Sequence, residues 1–254
     1  MRSEQPSTCS KRGYQLECAT CHRMFEDDGT TLACNVKHES GLLRTRYLAA
    51  SAVLDSKLSG IFRYRSWLPI ARSLPVSYGP ICYAPKKLRR SLGTPNLLVA
   101  FSGFWPERGA VLPTATFKDL EAITVLSRIS SGDSRILVVA STGNAAAAFA
   151  NVCTLYDQRC LLVVPDRGLR HLKLFRHLAP CVKLLALRGA TYDEAIVTAQ
   201  HICSSAAFIS EGGVRNVARR DGIGTTLLAA RTYQRSSRLL LSSNWKWNGR
   251  DCCP

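Results

Sequence analysis

Residues 135–165 read RILVVASTGNAAAAFANVCTLYDQRCLLVVP, two short apolar runs on either side of an alanine-rich stretch. The runs at 135–141 and 160–165 are rich in Val and Leu and lack polar alternation, which predicts strands buried on both faces. The stretch at 143–157 has the composition of a good helix. A strand, a helix and a second strand joined by short links make the unit of a parallel sheet.

The same alternation extends outward. NLLVAF (96–101) and CVKLLAL (181–187) predict two further strands, and helical patterns fall at 117–130, 168–178 and 191–204. The fold class expected is therefore α/β, with parallel sheets covered by helices.

The N-terminal part has a different character. Residues 1–13 are polar and read as disordered, and 14–46 read as a compact Cys-rich module of short strands and turns. Cys18-x-x-Cys21 followed by Cys34-x-x-x-His38 supplies four soft or borderline ligands in two pairs, a spacing suited to tetrahedral, structural zinc in a zinc-ribbon-like module. Cys9 and His22 leave the ligand count open, and thiols that merely pack are the competing reading. Between 47 and 96 the segment SGIFRYRSWLPI (59–70) is aromatic and cationic, fit either for the core or for lining a site.

Composition bounds the function. The chain has 254 residues, 46% of them hydrophobic, enough for a core. Lys and Arg number 34 against 18 Asp and Glu, a net charge of +16 that favours anionic partners. A basic zinc-module protein that binds nucleic acid is one alternative, but no interleaved aromatic-basic platform is present, so no nucleic-acid partner is expected. No apolar run approaches the roughly 20 residues of a membrane-crossing helix, and the opening MRSEQPSTCSKRGYQ lacks the apolar segment of a signal peptide. A cytoplasmic protein with reduced thiols and no membrane partner is expected.

Three segments carry candidate chemistry. In STGNAAAAFA (141–150), Ser141, Thr142 and Asn144 with Gly143 place hydroxyl, amide and backbone N–H groups at a helix N-terminus, which favours a carboxylate or phosphate. An ordinary capped helix start competes with that reading. In TFKDLEA (116–122), Lys118 opens a helix whose dipole opposes its charge, a setting suited to a nucleophilic amine. In EGGVRNVARRDGIG (211–224), Arg215 and Arg219 are spaced to share a helical face, and with Arg220 they form a candidate grip for phosphate or sulfite.

Taken in this order, with FSGFWPERGA (101–110) and the N-terminal Cys module, these segments resemble the fold-type II pyridoxal-phosphate enzymes, the group of threonine synthase and cysteine synthase. Within that group, residues 14–230 are most similar to the cysteate synthases, which would make 47–230 a partial pyridoxal-phosphate enzyme domain. The resemblance implies the cofactor pyridoxal 5'-phosphate and a β-replacement that converts O-phospho-L-serine and sulfite to L-cysteate and phosphate, a step toward coenzyme M. By the same resemblance, Lys118 carries the cofactor covalently and shuttles a proton, Asn144 bonds the cofactor's phenolic oxygen, and Ser141, Thr142 and Gly143 hold the substrate carboxylate. The partners implied are small molecules, with a homo-oligomer left open. The alternative within the group is γ-replacement on O-phosphohomoserine, as in threonine synthases, whose lysine segment is close to PTGSFKDRG; LPTATFKDLEA (112–122) matches it in part.

The resemblance stops after Ala230, where the family continues to a glycine-rich loop close to G-S-G-T-G-G that holds the cofactor phosphate. Here 231–254 end in NWKWNGRDCCP (244–254). Tryptophan has the single codon TGG and lysine begins AA, so a shifted frame reads glycine at Trp245/Lys246 and again at Trp247/Asn248. The following junctions permit the whole loop, G-S-G-T-G-G-I-A-A. The expectation is an aberrant, frame-shifted tail, an incomplete large domain and a chain inactive as written.

Overall fold

A computed structural model describes residues 12–39, 41–50, 53–172, 174 and 177–242. Residues 1–11 of the expected disordered segment, with Cys9, lie outside the described residues, as does 244–254 with Cys252 and Cys253.

The N-terminal module is a three-stranded antiparallel sheet of β1 (Tyr14–Cys18), β2 (Met24–Phe25) and β3 (Leu43–Tyr47), with β1 central. Tyr14, Leu16 and Cys18 point to one buried face at period two, against Leu43 and Val217. A 3-10 turn at Gly60–Trp67 follows, and its Ile61, Phe62 and Tyr64 are buried, so this aromatic segment belongs to the core. Next come β4 (Ile81–Tyr83), the short helix α1 (Lys86–Ser91), β5 (Val99–Phe101), β6 (Phe104–Trp105) and β7 (Ala110–Val111). The apolar run at 96–101 thus yields only a short strand, and it pairs antiparallel with β4 instead of joining the parallel sheet. Short apolar runs do not specify their partner, and Pro95 with Gly93 just upstream confine this one to a local pairing.

The rest forms the α/β body: α2 (Lys118–Arg128), β8 (Ile136–Ala140), α3 (Asn144–Leu155), β9 (Cys160–Pro165), β10 (Val182–Leu187), α4 (Tyr192–Ile202), β11 (Phe208–Ser210) and α5 (Val217–Ser242). The strands make one parallel sheet in the order β10-β9-β8-β11. Leu137, Val139, Leu162 and Val164 face α2 and α3, while Val138 and Val163 face Ala195 and Ala199 of α4. Both faces of β8 and β9 are covered, which is why their sequences show no alternation. β10 differs from expectation: it is an edge strand, and Lys183–Ala186 are exposed. β11 was not visible in the sequence because only three residues pair.

One helical expectation changes. Residues 166–171 form a 3-10 turn in place of an α-helix over 168–178. Leu169 and Leu172 both pack on the core, a three-residue spacing that a 3-10 turn aligns, and Gly168 lies close against the Thr142 backbone. Helix α2 is covered on all sides: Asp119–Arg128 are all buried, because α3 and α5 flank it. Gly222 permits the α5 contact, since a Cβ there would stand 2.6 Å from the Leu120 carbonyl oxygen. α5 itself continues through Ser242, past position 230 where the resemblance ends.

Candidate active site

Helix α2 starts at Lys118, and its side chain is about one-quarter exposed. Its Nζ donates to Glu121 Oε1 at 2.7 Å and lies 4.5 Å from the centre of the Phe117 ring. Glu121 is buried and also pairs with Arg219 of α5, which in turn reaches Glu211 Oε1 at 3.1 Å. Two cations and two carboxylates therefore alternate in one chain, Lys118–Glu121–Arg219–Glu211. Burial pushes the Glu211 carboxyl above its usual range, and Arg219 partly offsets this.

The β8–α3 turn forms a neighbouring wall. Ser141 is buried, and its Oγ accepts from the N–H groups of Gly143 (3.2 Å) and Ala146 (3.1 Å), so its hydroxyl shapes the turn. Gly143 is the residue before the helix, and Asn144 is the first helical residue, exposed on the opening turn. Among the described residues the Asn144 side chain makes no hydrogen bond. A cavity of about 640 Å³ is lined by Lys118, residues 141–145, Arg170, His171, Tyr192 and Arg219. A second, of about 820 Å³, shares Lys118, Tyr192 and Arg219 and adds Glu121, Glu211, Gly212, Arg215, Arg220 and Leu32.

The structure thus brings Lys118 together with Ser141, Thr142, Gly143 and Asn144. The arginines divide. Arg215 closes a 3-10 turn at Gly213–Arg215, Asn216 is extended, and α5 begins at Val217, so Arg215 and Arg219 do not share a helical face. The left-handed Gly212 (φ 86°) and Gly213 (φ 56°) turn the chain before the helix can start. Arg219 is held by its two carboxylates, and Arg220 donates to the Leu43 carbonyl of the N-terminal module. Arg215 is exposed and makes no ion pair among the described residues. Sequence reasoning missed Glu121, Glu211, Arg170, His171 and Tyr192. Glu121 was accessible, because it lies one turn from Lys118 on the same helix.

The lining explains what the site can take. Five cations (Lys118, Arg170, Arg215, Arg219 and Arg220) face two carboxylates, which favours an anionic ligand. An amine, an unpaired amide and a helix N-terminus border one cavity of ordinary small-molecule size. These groups fit a phosphorylated aldehyde cofactor with an amino-acid substrate.

In the N-terminal module Cys18, Cys21, Cys34 and His38 converge, with ligating atoms all within 4.8 Å of one another. The Cys18 thiol is lowered to about 6, chiefly by the backbone N–H of Cys21. The module is tied to the body by Arg128, fully buried at the end of α2. It donates to Asp27 through Nε (2.8 Å) and Nη2 (2.7 Å), to Asn216 Oδ1 (2.9 Å) and to the Thr31 carbonyl (2.7 Å). Asp221 of α5 adds a second tie, accepting from Thr45 Oγ1 at 2.7 Å and from the Tyr47 hydroxyl.

Residues 96–236 match the family of pyridoxal-phosphate dependent enzymes. The chain is 39% identical over 218 residues to the cysteate synthase of Methanocorpusculum labreanum, covering 85% of this chain and 52% of that protein. It is 40% identical over 223 residues to the cysteate synthase of Methanoculleus marisnigri (87% and 50%) and 37% identical over 218 residues to that of Methanosarcina barkeri (85% and 51%). The chain spans about half the length of the curated relatives it matches. No helix among the described residues is long and apolar enough to cross a membrane.

Proposed function

The chain belongs to the pyridoxal-phosphate dependent enzymes, and from that premise we propose that it provides the cofactor lysine and carboxylate loop of an enzyme that forms L-cysteate and phosphate from O-phospho-L-serine and sulfite. The observation that carries the reading is the shared cavity. Lys118, far from 141–144 in sequence, lines it beside the Ser141–Asn144 turn. The similarity to cysteate synthases supports the choice of substrates.

The bound cofactor supplies an electron sink for negative charge at the substrate α-carbon. Lys118 Nζ holds the cofactor and moves the α-proton. Glu121 keeps that amine aimed along the helix start and balances its charge. The Asn144 amide would bond the cofactor's phenolic oxygen. Thr142 and the first N–H groups of α3 hold the substrate carboxylate, favoured by the helix dipole. Ser141 acts one step back, fixing the turn with its two accepted N–H bonds. Arg219, already paired twice, sets the electrostatics of the wall, and Arg215, exposed and without an ion pair among the described residues, is the most open of the three arginines to phosphate or sulfite.

The test follows the visible absorbance of the cofactor-loaded chain as substrate is added. A change with O-phospho-L-serine and none with O-phosphohomoserine supports the reading. A response to O-phosphohomoserine alone contradicts it and favours γ-replacement. Inactivity of the chain as written is a separate proposal, drawn from codons 244–254. A second frame encoding a glycine-rich stretch supports it, and a second frame without one removes it.

A further inference from the structure

The Cys-rich module has a geometry that packed thiols do not need. Cys21 Sγ lies 3.7 Å from Cys34 Sγ, and Cys18 Sγ lies 3.4 Å from His38 Nε2. Tetrahedral zinc with bonds of about 2.3 Å to sulfur and about 2.0 to 2.1 Å to nitrogen sets ligand atoms roughly 3.8 Å (S to S) and 3.6 Å (S to N) apart. The two measured edges match. Thiols are weak hydrogen-bond donors, so bringing three of them and an imidazole together gains little without a cation.

The surrounding bonds prepare the ligands. His38 Nδ1 is hydrogen-bonded to the Glu39 carbonyl, which puts the proton on Nδ1 and turns the Nε2 lone pair toward the sulfurs. The Cys18–His22 turn is closed by the Cys18 N–H on the Arg23 carbonyl (3.0 Å) and the His22 N–H on the Cys18 carbonyl (2.9 Å). His22 is engaged elsewhere, with Nδ1 3.0 Å from Glu17 Oε1, which takes this residue out of the competition for the ion.

The loop that such a cation would close, 21–34, reaches the body. Leu32 lines the same cavity as Lys118 and Glu121, and a Cβ on Gly212 would stand 2.4 Å from its side chain. The neighbouring Thr31 carbonyl is held by Arg128.

We propose that Cys18, Cys21, Cys34 and His38 bind one structural zinc ion, and that this ion fixes the loop whose Leu32 forms one wall of the Lys118 cavity. All four positions are filled by protein, so the metal has no catalytic opening. The metal site stands on its own geometry; its link to the cavity rests on the cofactor role proposed for Lys118.

The full chain, purified and dialysed, should contain about one zinc ion by metal analysis. Cys21→Ser, at an exposed position, should lose it, and Cys82→Ser, outside the cluster, should keep it. A chelator should lower the melting temperature and added Zn²⁺ should restore it. Cobalt substitution should give the intense visible bands of a tetrahedral thiolate site, which decides the matter on wild-type protein if Cys21→Ser does not fold. A chain without zinc that melts unchanged in chelator, or one that holds iron instead, overturns the metal assignment. Reductive labelling of Lys118 with pyridoxal phosphate should fall severalfold in the metal-free chain and recover with Zn²⁺. Equal labelling in a folded metal-free chain overturns the link to the cavity without touching the metal content.

Discussion

Lys118 Nζ and Glu121 Oε1 lie 2.7 Å apart across one turn of α2, with the carboxylate buried and the amine at the cavity edge. Glu121 also holds Arg219. Glu121→Gln should keep the label of pyridoxal phosphate on Lys118 but lower its occupancy, and should destabilise the chain by about 1 to 3 kcal/mol, because Arg219 loses a charged acceptor. Thermal melting and peptide mapping of the labelled protein check this. Unchanged occupancy and stability would remove Glu121 from the site.

Arg128 and Asp27 join the N-terminal module to the body with both side chains fully buried. Arg128→Met leaves Asp27 charged, buried and short of partners, and should cost about 3 to 5 kcal/mol in denaturant unfolding. Burial alone would raise the Asp27 carboxyl, but the Arg128 bonds more than reverse this and hold it below its ordinary 3.8. Its stabilisation is therefore present above that pH and lost as pH falls below it. Asp27→Asn should flatten the acid limb of the stability curve.

Asp119 behaves in the opposite sense. Burial raises its carboxyl to about 6, against the N–H and hydroxyl of Thr114, each bonded at 2.8 Å. The native state then binds more protons than the unfolded state between about pH 4 and 6, so stability falls as pH rises through that window. The loss by neutral pH is on the order of 3 kcal/mol. Asp119→Asn, which can still accept the Thr114 N–H, should remove this slope. Unfolding free energies measured from pH 4 to 7 decide it.

Much of the fold was legible, for identifiable reasons. β8, β9, α3 and α4 are local patterns, and Thr191 with Glu194 forms the capping box that starts α4. Lys118 and the 141–144 turn stood out as candidates because each lies in a contiguous motif, and the structure sets them around one cavity. The partner of 96–101 was not, since an apolar run does not state what it pairs with. The polar residues of α2 were the harder case. Glu121 and Arg128 are held by Arg219 and Asp27, both far away in the chain, while Asp119 is bonded locally to Thr114.

Backbone conformation gives a further check at Ala115, which sits at φ 55°, a left-handed conformation costly for a residue with a Cβ. Ala115→Gly should stabilise the lysine segment by up to about 1 kcal/mol after the glycine entropy cost. Gly212→Ala should do the reverse, by about 1 to 2 kcal/mol, because φ is 86° and the new methyl group meets Leu32. Melting temperatures of the two variants should move in opposite directions.

In the proposed function Lys118 carries the cofactor. Incubating the full chain with excess pyridoxal phosphate, reducing with borohydride and mapping the peptides by mass spectrometry tests it most directly, because reduction makes even a weakly held link permanent. A pyridoxyl group on Lys118 is expected, with the label lost in Lys118→Ala. A label on another lysine with Lys118 unmodified would contradict it.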